Sequence, residues 1–378
     1  MDLSSFLRPY ERRLAACAVA SFLALSAIVI LHTGSPYGDL ANRYTDHLHH
    51  AHATWALLKR GFDIYRFPFG VVASEAPYPQ PAATWPEFPV PYPPGFAGVF
   101  FIPAMIGRYW PMTMPVFGKV CIVYLLAISH LAVYAIGIAI RGAGGARPIL
   151  LLLFWLLCAR SSVLGFYDPA WMACGALSSI ALAKKRAGTA LVWFTTAAFM
   201  NFRAVSMLPM GLVAAWRVAR GTQTWPRKTC LLGSAAVLGV VSCYSFWLFV
   251  THGPQPGSPI YEACTRPPFE SDSIRTTFLW LASLAFSWVA VRAGNWLAAL
   301  TTVCVTLVTL QHGGHAWHSS MLIAPVLVTG EVDSRKATVM SVYGYVAVWC
   351  VLVFQIGYGH EPTLLLEEIV STLRGLRG

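Results

Sequence analysis

Residues 34–65 read GSPYGDLANRYTDHLHHAHATWALLKRGFDIY. Tyr44, Leu48, Ala51, Trp55, Leu58 and Phe62 recur here at alternating steps of four and three, which draws one apolar stripe along a helix ending at Gly61. Asp46, His49, His50 and Lys59 fall away from that stripe. The spacing predicts an amphipathic helix over 38–61 that lies in the plane of an interface, with its stripe against lipid or other helices and Asp46 over the surface. Such a helix needs an interface to lie on, and the surrounding chain supplies one.

The 378-residue chain is 56% hydrophobic and 11% charged, with a mean hydropathy of +0.58. A soluble domain carries about 25% charged residues. The apolar residues come in long blocks, which predicts an all-α integral membrane protein. Eleven spans are expected, near 14–31, 115–140, 148–166, 169–183, 188–201, 204–216, 229–250, 276–291, 295–311, 318–330 and 337–357. Several fall short of the roughly 20 residues a straight span requires, so 148–166 with 169–183, and 188–201 with 204–216, are read as tilted, partial or broken helices. The stretch Phe96–Gly107 has 12 residues and contains Pro103; it is placed on or slightly into the outer leaflet. The expectation is one polytopic domain over 1–378, with an outer loop at 32–114. An amphipathic tail at 361–378, carrying Leu366, Val370 and Leu373, lies on the outer surface.

Charge sets the orientation. With a cytoplasmic N-terminus, the short inner connections hold Arg8, Arg12, Arg13, Arg141, Arg147, Lys184, Lys185, Arg186, Arg217, Arg220, Arg227, Lys228, Arg292, Arg335 and Lys336, which is 15 of the 27 Lys and Arg residues. A spanning 96–107 would turn the Arg141–Arg147 and Lys184–Arg186 connections outward, against the positive-inside rule. The +11 net charge is scattered over short turns rather than clustered on one soluble face, which excludes nucleic acid as partner and fits attraction to anionic lipid. No small-x-small cleavage site follows the first apolar run, so it reads as a signal anchor. Of nine cysteines only Cys264 lies clearly in a loop, which gives neither a disulfide framework nor paired metal-ligand spacing. No internal repeat, phosphate-binding glycine loop or serine elbow is present in the sequence.

Polar chemistry collects on the outer side. The outer loop continues through Pro77, Pro79, Pro81, Pro86, Pro89, Pro91, Pro93 and Pro94, residues that fix φ and remove donors, and so predict an irregular but ordered loop. Trp85, Phe88, Tyr92 and Phe96 interleave with them, as interfacial anchors or as a platform for a sugar ring. His47, His49, His50 and His52 include no pair four residues apart, and no metal site is assigned. Three later outer segments carry donors: Arg160 ahead of Phe166-Tyr167-Asp168-Pro169, the turn Asn201-Phe202-Arg203, and Gln311-His312-Gly313-Gly314-His315-Ala316-Trp317-His318. Ionisable groups near hydrocarbon are costly and often functional. Arg160 and Arg203 either snorkel to headgroups or bind an anion bidentately; a lipid phosphate or pyrophosphate is the obvious one there.

Four elements of this arrangement resemble the GT-C superfamily, the multispanning glycosyltransferases that take sugar from a polyprenyl-phosphate donor. They are an aspartate in the first outer loop; the run from Asp46 to Gly61-Phe62-Asp63-Ile64-Tyr65, similar to the helix ending of bacterial mannosyltransferase-like members; Val90-Pro91-Tyr92-Pro93-Pro94-Gly95, similar to their tyrosine–proline loop; and His315-Ala316-Trp317-His318, similar to their aromatic–histidine loop. The resemblance implies a hexosyl- or pentosyltransferase, mannosyltransferase-like, in a bacterial inner membrane with its site at the outer face. A loop aspartate would be the general base, Asp46 ahead of Asp39 and Asp168 third. Arg160, Arg203, His312, His315 and His318 would hold the donor phosphate, and Tyr92, Trp85, Trp317 and Asp168 would touch sugar or acceptor. The implied partners are membrane lipid, the polyprenyl-phosphate sugar and a glycan or glycolipid acceptor. No cofactor is required, and a divalent metal has no support in the sequence. The alternatives are a lipid-carrier flippase or transporter, in which ionisable groups should sit mid-span, and a non-catalytic membrane subunit.

Overall fold

A computed structural model of the chain describes residues 9–31, 46–61, 92–140, 147–163, 165–221, 224–252, 273–292 and 294–310. The described residues form helices and connecting turns, with no strand among them. In chain order the helices are α1 (Pro9–Leu31), α2 (Asp46–Arg60), α3 (Phe96–Tyr109), α4 (Met114–Ala139), α5 (Arg147–Val163), α6 (Asp168–Ala183), α7 (Ala187–Met200), a 3-10 turn (Phe202–Met207), α8 (Leu208–Arg220), α9 (Trp225–His252), α10 (Ser273–Arg292) and α11 (Trp296–Leu310). Two of them, Pro9–Leu31 and Pro115–Ala139, are long and apolar enough to cross a membrane. Phe96–Tyr109 and Ala187–Met200 are apolar but shorter. The expected segments 318–330 and 337–357 and the tail lie outside the described residues. The expected helix at 204–216 begins instead with the 3-10 turn and starts its α-helical path at Leu208, where Pro209 in the first turn needs no hydrogen-bond partner.

Helix ends follow local chemistry. Gly61 ends α2 with φ +59°. After α5 the amide of Gly165 donates to Ser162 and that of Phe166 to Ser161, and after α10 Gly294 donates to Val291 and Asn295 to Ala290. These paired bonds are Schellman stops, which need a residue at positive φ; Gly165 and Gly294 have φ +84° and +77°. The stop after α6 has the same pair, Lys185 to Leu182 and Arg186 to Ala181, but places Lys185 at φ +59°. Asn295 then caps α11, its Oδ1 accepting from the Ala298 amide at 3.1 Å.

Close contacts between neighbours are polar as well as apolar. α1 and α4 run antiparallel: Tyr10 Oη donates to Gly137 O at 3.4 Å and Lys119 Nζ donates to Ile30 O at 2.9 Å, the latter placing a cation on the C-terminal carbonyls of α1. Ser129 of α4 donates to Cys158 O, and Ser162 of α5 to Leu125 O, each at 3.1 Å. Trp155 Nε1 donates to His130 Nε2 at 2.8 Å, so His130 Nδ1 bears the proton it donates to Leu126 O at 2.7 Å. The apolar core is built from α2 to α8 with α10 and α11, and Trp171, Phe96, Phe100, Phe117, Phe154 and Phe194 are fully enclosed in it. By contrast Val19, Leu23, Ile30 and Leu31 of α1, and Trp225, Leu232 and Val250 of α9, are exposed.

α2 departs from its expected surface position. It packs against α3 and α4. Leu48, Ala51 and Trp55 of the stripe are buried as expected of a packed face, but so are His50, His52 and Thr54. Three alanines, Ala51, Ala53 and Ala56, admit neighbours closely on several sides. Two of the polar groups find acceptors along the helix itself: His52 Nδ1 donates to Leu48 O and Thr54 Oγ1 to His50 O, both at 2.7 Å, which lowers the penalty for burying those two atoms. α3 lies beside α2 with Phe96, Phe100 and Ala104 inward and Phe101 and Ile102 exposed.

Candidate functional site

The α6–α7 hairpin brings together what the sequence separates. α6 starts at Asp168 and α7 ends at Met200, with 16 and 14 residues in the two arms. Nearly equal arms return the chain to the end at which it left, so Phe166-Tyr167-Asp168 and Asn201-Phe202-Arg203 meet. Ser178 Oγ donates to Ala190 O at 2.8 Å and holds the arms together.

Asp168 sits in the first turn of α6, where the helix dipole favours a negative charge. Its Oδ1 accepts from Trp171 Nε1 at 2.7 Å and lies 3.8 Å from Arg203 Nη1. The first is a hydrogen bond; the second is an ion pair at longer range. Asp168 is buried, with 3% exposure, its carboxylate held by Trp171 and facing Arg203. Arg203 keeps 16% of its side chain exposed, so of the pair it is the arginine that reaches the surface.

Tyr167 is the hub. Its Oη donates to Met200 O at 3.0 Å and accepts from Asn201 Nδ2 at 3.1 Å. Asn201 Oδ1 in turn accepts from the Arg203 amide at 3.0 Å, which fixes the amide orientation and the start of the 3-10 turn. Burial pushes the Tyr167 phenol well above its usual range, with Tyr92 and Asp168 adding to the rise and Arg203 opposing it. The phenol is therefore a neutral donor and not a base.

An aromatic cluster adjoins these polar groups. His50 of α2 stacks on Phe100 at 5.0 Å and 14°, and meets Tyr92 at 4.6 Å, Tyr167 at 4.8 Å and Phe96 at 5.7 Å. Tyr92 and Tyr167 lie edge to face at 5.8 Å. The loop that carries Tyr92 is pinned to the hairpin, because the Gly95 amide donates to Phe199 O at 3.0 Å. A Cβ at Gly95 would lie 2.3 Å from that same oxygen, so glycine is required there.

The other expected residues divide into two groups. Asp46 opens α2, about one helical turn before His50 in the chain. Arg160 lies in the last turn of α5. Asp39, Trp85, His312, His315, Trp317 and His318 lie outside the described residues. Among the described residues no group of three His, Cys, Asp or Glu side chains could hold a metal. The structure adds Trp171, and it gives Tyr167, Asn201 and His50, which the sequence places near the site without a role, their contacts in it. The signal for them was the pairing of two short apolar arms around Lys184–Arg186, which forces the polar dipeptides flanking those arms to one end.

Comparison with known proteins returns nothing: no family model, no curated protein and no solved structure matches the chain.

Proposed function

We propose that the chain is a membrane glycosyltransferase that moves a sugar from a polyprenyl-phosphate donor to an acceptor hydroxyl, with inversion. The observation that carries this reading is the cluster at one end of the hairpin: His50 packs against Tyr92 and Tyr167, and Tyr167 adjoins Arg203; Asp46, at the start of the helix that carries His50, would supply the carboxylate. A carboxylate, an aromatic face and a partly exposed guanidinium are the groups that an acceptor hydroxyl, a sugar ring and a lipid phosphate require. Embedding in a bilayer is supported by the two long apolar helices and by the exposed leucines, valines and tryptophans on α1 and α9, side chains that water disfavours and lipid accepts.

In this mechanism Asp46 takes the proton of the acceptor hydroxyl as its oxygen attacks the anomeric carbon. The bond from that carbon to the phosphate oxygen breaks on the opposite side, and the lipid phosphate leaves with the electron pair. Arg203 neutralises the charge that develops on the leaving phosphate. Asp168 and Asn201 hold the arginine in place and do not touch substrate. Asp39 is the competing base. A carrier that binds the same donor without chemistry is the second reading, favoured by one observation: an ion pair between a buried Asp168 and a partly exposed Arg203 is also what a transport pathway uses.

The test is transfer from a panel of radiolabelled polyprenyl-phosphate sugars to membrane lipid extract, by purified protein and by Asp46→Asn, Asp39→Asn and Arg203→Gln, all checked for folding. Loss of transfer in one Asn variant with donor binding retained identifies the base. Wild-type binding without transfer across the panel moves the assignment to the carrier, and absence of both removes the glycosyltransferase reading.

A further inference from the structure

At the end of the bundle away from Arg203, a cavity of about 490 Å³ lies between the α6–α7 turn and the α8–α9 turn. The 16 residues of α6 separate the two ends by about 24 Å at the helical rise per residue. Lys185, Arg186, Arg217 and Arg227 line the cavity, and none of its lining residues is acidic. Arg217 is fixed rather than splayed: its Nη1 donates to Leu182 O at 3.2 Å, and its guanidinium sits 5.5 Å from the Trp296 ring centre. Arg227 crosses over Gly221, where a Cβ would meet its guanidinium. The first turn of α7 supplies the remaining wall through Gly188 and Thr189, and open space lies where a Gly188 side chain would be. Amides of a first helical turn have no acceptor within the helix and favour anions.

Four cations lining one concave space make it favourable for an anion. Charges that merely reach for water or headgroups spread apart; these face a common volume. We infer that this cavity binds a phosphate-bearing anion, the chemistry shared by an acidic phospholipid headgroup and free inorganic phosphate. Guanidinium pairs grip phosphate oxygens bidentately, the lysine adds a point charge, and the Thr189 hydroxyl and α7 amides complete the shell. The site is separate from the proposed transfer chemistry, so its failure leaves that reading untouched.

The test uses detergent-purified full-length protein stripped of lipid. Phosphatidylglycerol and phosphatidylcholine are titrated by native mass spectrometry, and inorganic phosphate is compared with chloride at equal ionic strength by thermal shift. Arg186→Gln/Arg227→Gln neutralises two exposed cations while leaving the Arg217 packing intact; Arg12→Gln/Arg13→Gln removes the same charge elsewhere. Preference for phosphatidylglycerol that falls on the order of tenfold in the cavity variant, but not in the α1 variant, supports the site with lipid as the source. Stabilisation by phosphate that is lost in the cavity variant alone supports it with a free anion as the source. Absence of preference for either probe, or equal loss in both variants, overturns it.

Discussion

Tyr167 connects the two halves of the cluster, and its protonation state gives the clearest single-residue test. Its phenol is held well above the ordinary value of 10.0 in the folded chain, while in the unfolded chain it titrates near that value. The stability contributed by the neutral phenol is complete below pH 10 and is lost progressively as pH rises from there toward the folded value. Thermal melts in the alkaline range should therefore fall more steeply for the wild type than for Tyr167→Phe. At neutral pH that variant should be less stable by about 1–3 kcal/mol, since Asn201 loses an acceptor and Met200 O a donor. Gly95 offers a second test. Gly95→Ala drives a methyl into a backbone oxygen that cannot move without shifting α7, and should cost at least about 1–3 kcal/mol in a denaturation assay. Gly98→Ala, three residues on in α3, meets nothing within 4 Å and should leave stability unchanged or raise it by up to about 1 kcal/mol.

The α6–α7 hairpin shows what could and could not be read in advance. Its two arms and the position of its turn were legible, because apolar runs interrupted by Lys184-Lys185-Arg186 leave few alternatives. That Asp168 and Arg203 share one end follows from the same arithmetic, but their mutual engagement does not, since a 3.8 Å separation depends on side-chain packing around Trp171. α2 was legible in its helicity and its stop at Gly61 but not in its burial. The spacing shows the apolar stripe as the face that packs; that the side carrying His52 and Thr54 is buried too depends on the acceptors these residues find one turn back. At the turn, Lys185 holds a left-handed conformation that a glycine adopts without strain. Lys185→Gly should raise the unfolding free energy by about 1 kcal/mol while weakening anion binding in the neighbouring cavity. Melting temperature and phosphate titration on the same sample would separate the two effects.

For the molecule as a whole, the described α-helices vary about twofold in length, from 13 to 28 residues. α4 and α9 have 26 and 28 residues and α7 and α8 have 14 and 13; the long pair extends about 39 and 42 Å and the short pair about 21 and 20 Å. A bilayer core measures roughly 30 Å. Reconstitution in phosphatidylcholines of short, medium and long chains should therefore show maximal thermal stability in the shorter ones, and an optimum at long chains would contradict an embedded α7–α8 pair. Val192 on α7 and Leu212 and Trp216 on α8 are exposed, so in a bilayer these faces would meet acyl chains directly. They offer those chains a wall about a third shorter than the slab around it. A straight, well-ordered tail must tilt or thin its surroundings to match such a wall, whereas a branched, coiling one loses little by gathering there. In a bilayer the short wall would thus sort neighbouring lipids by tail order, before any headgroup is recognised.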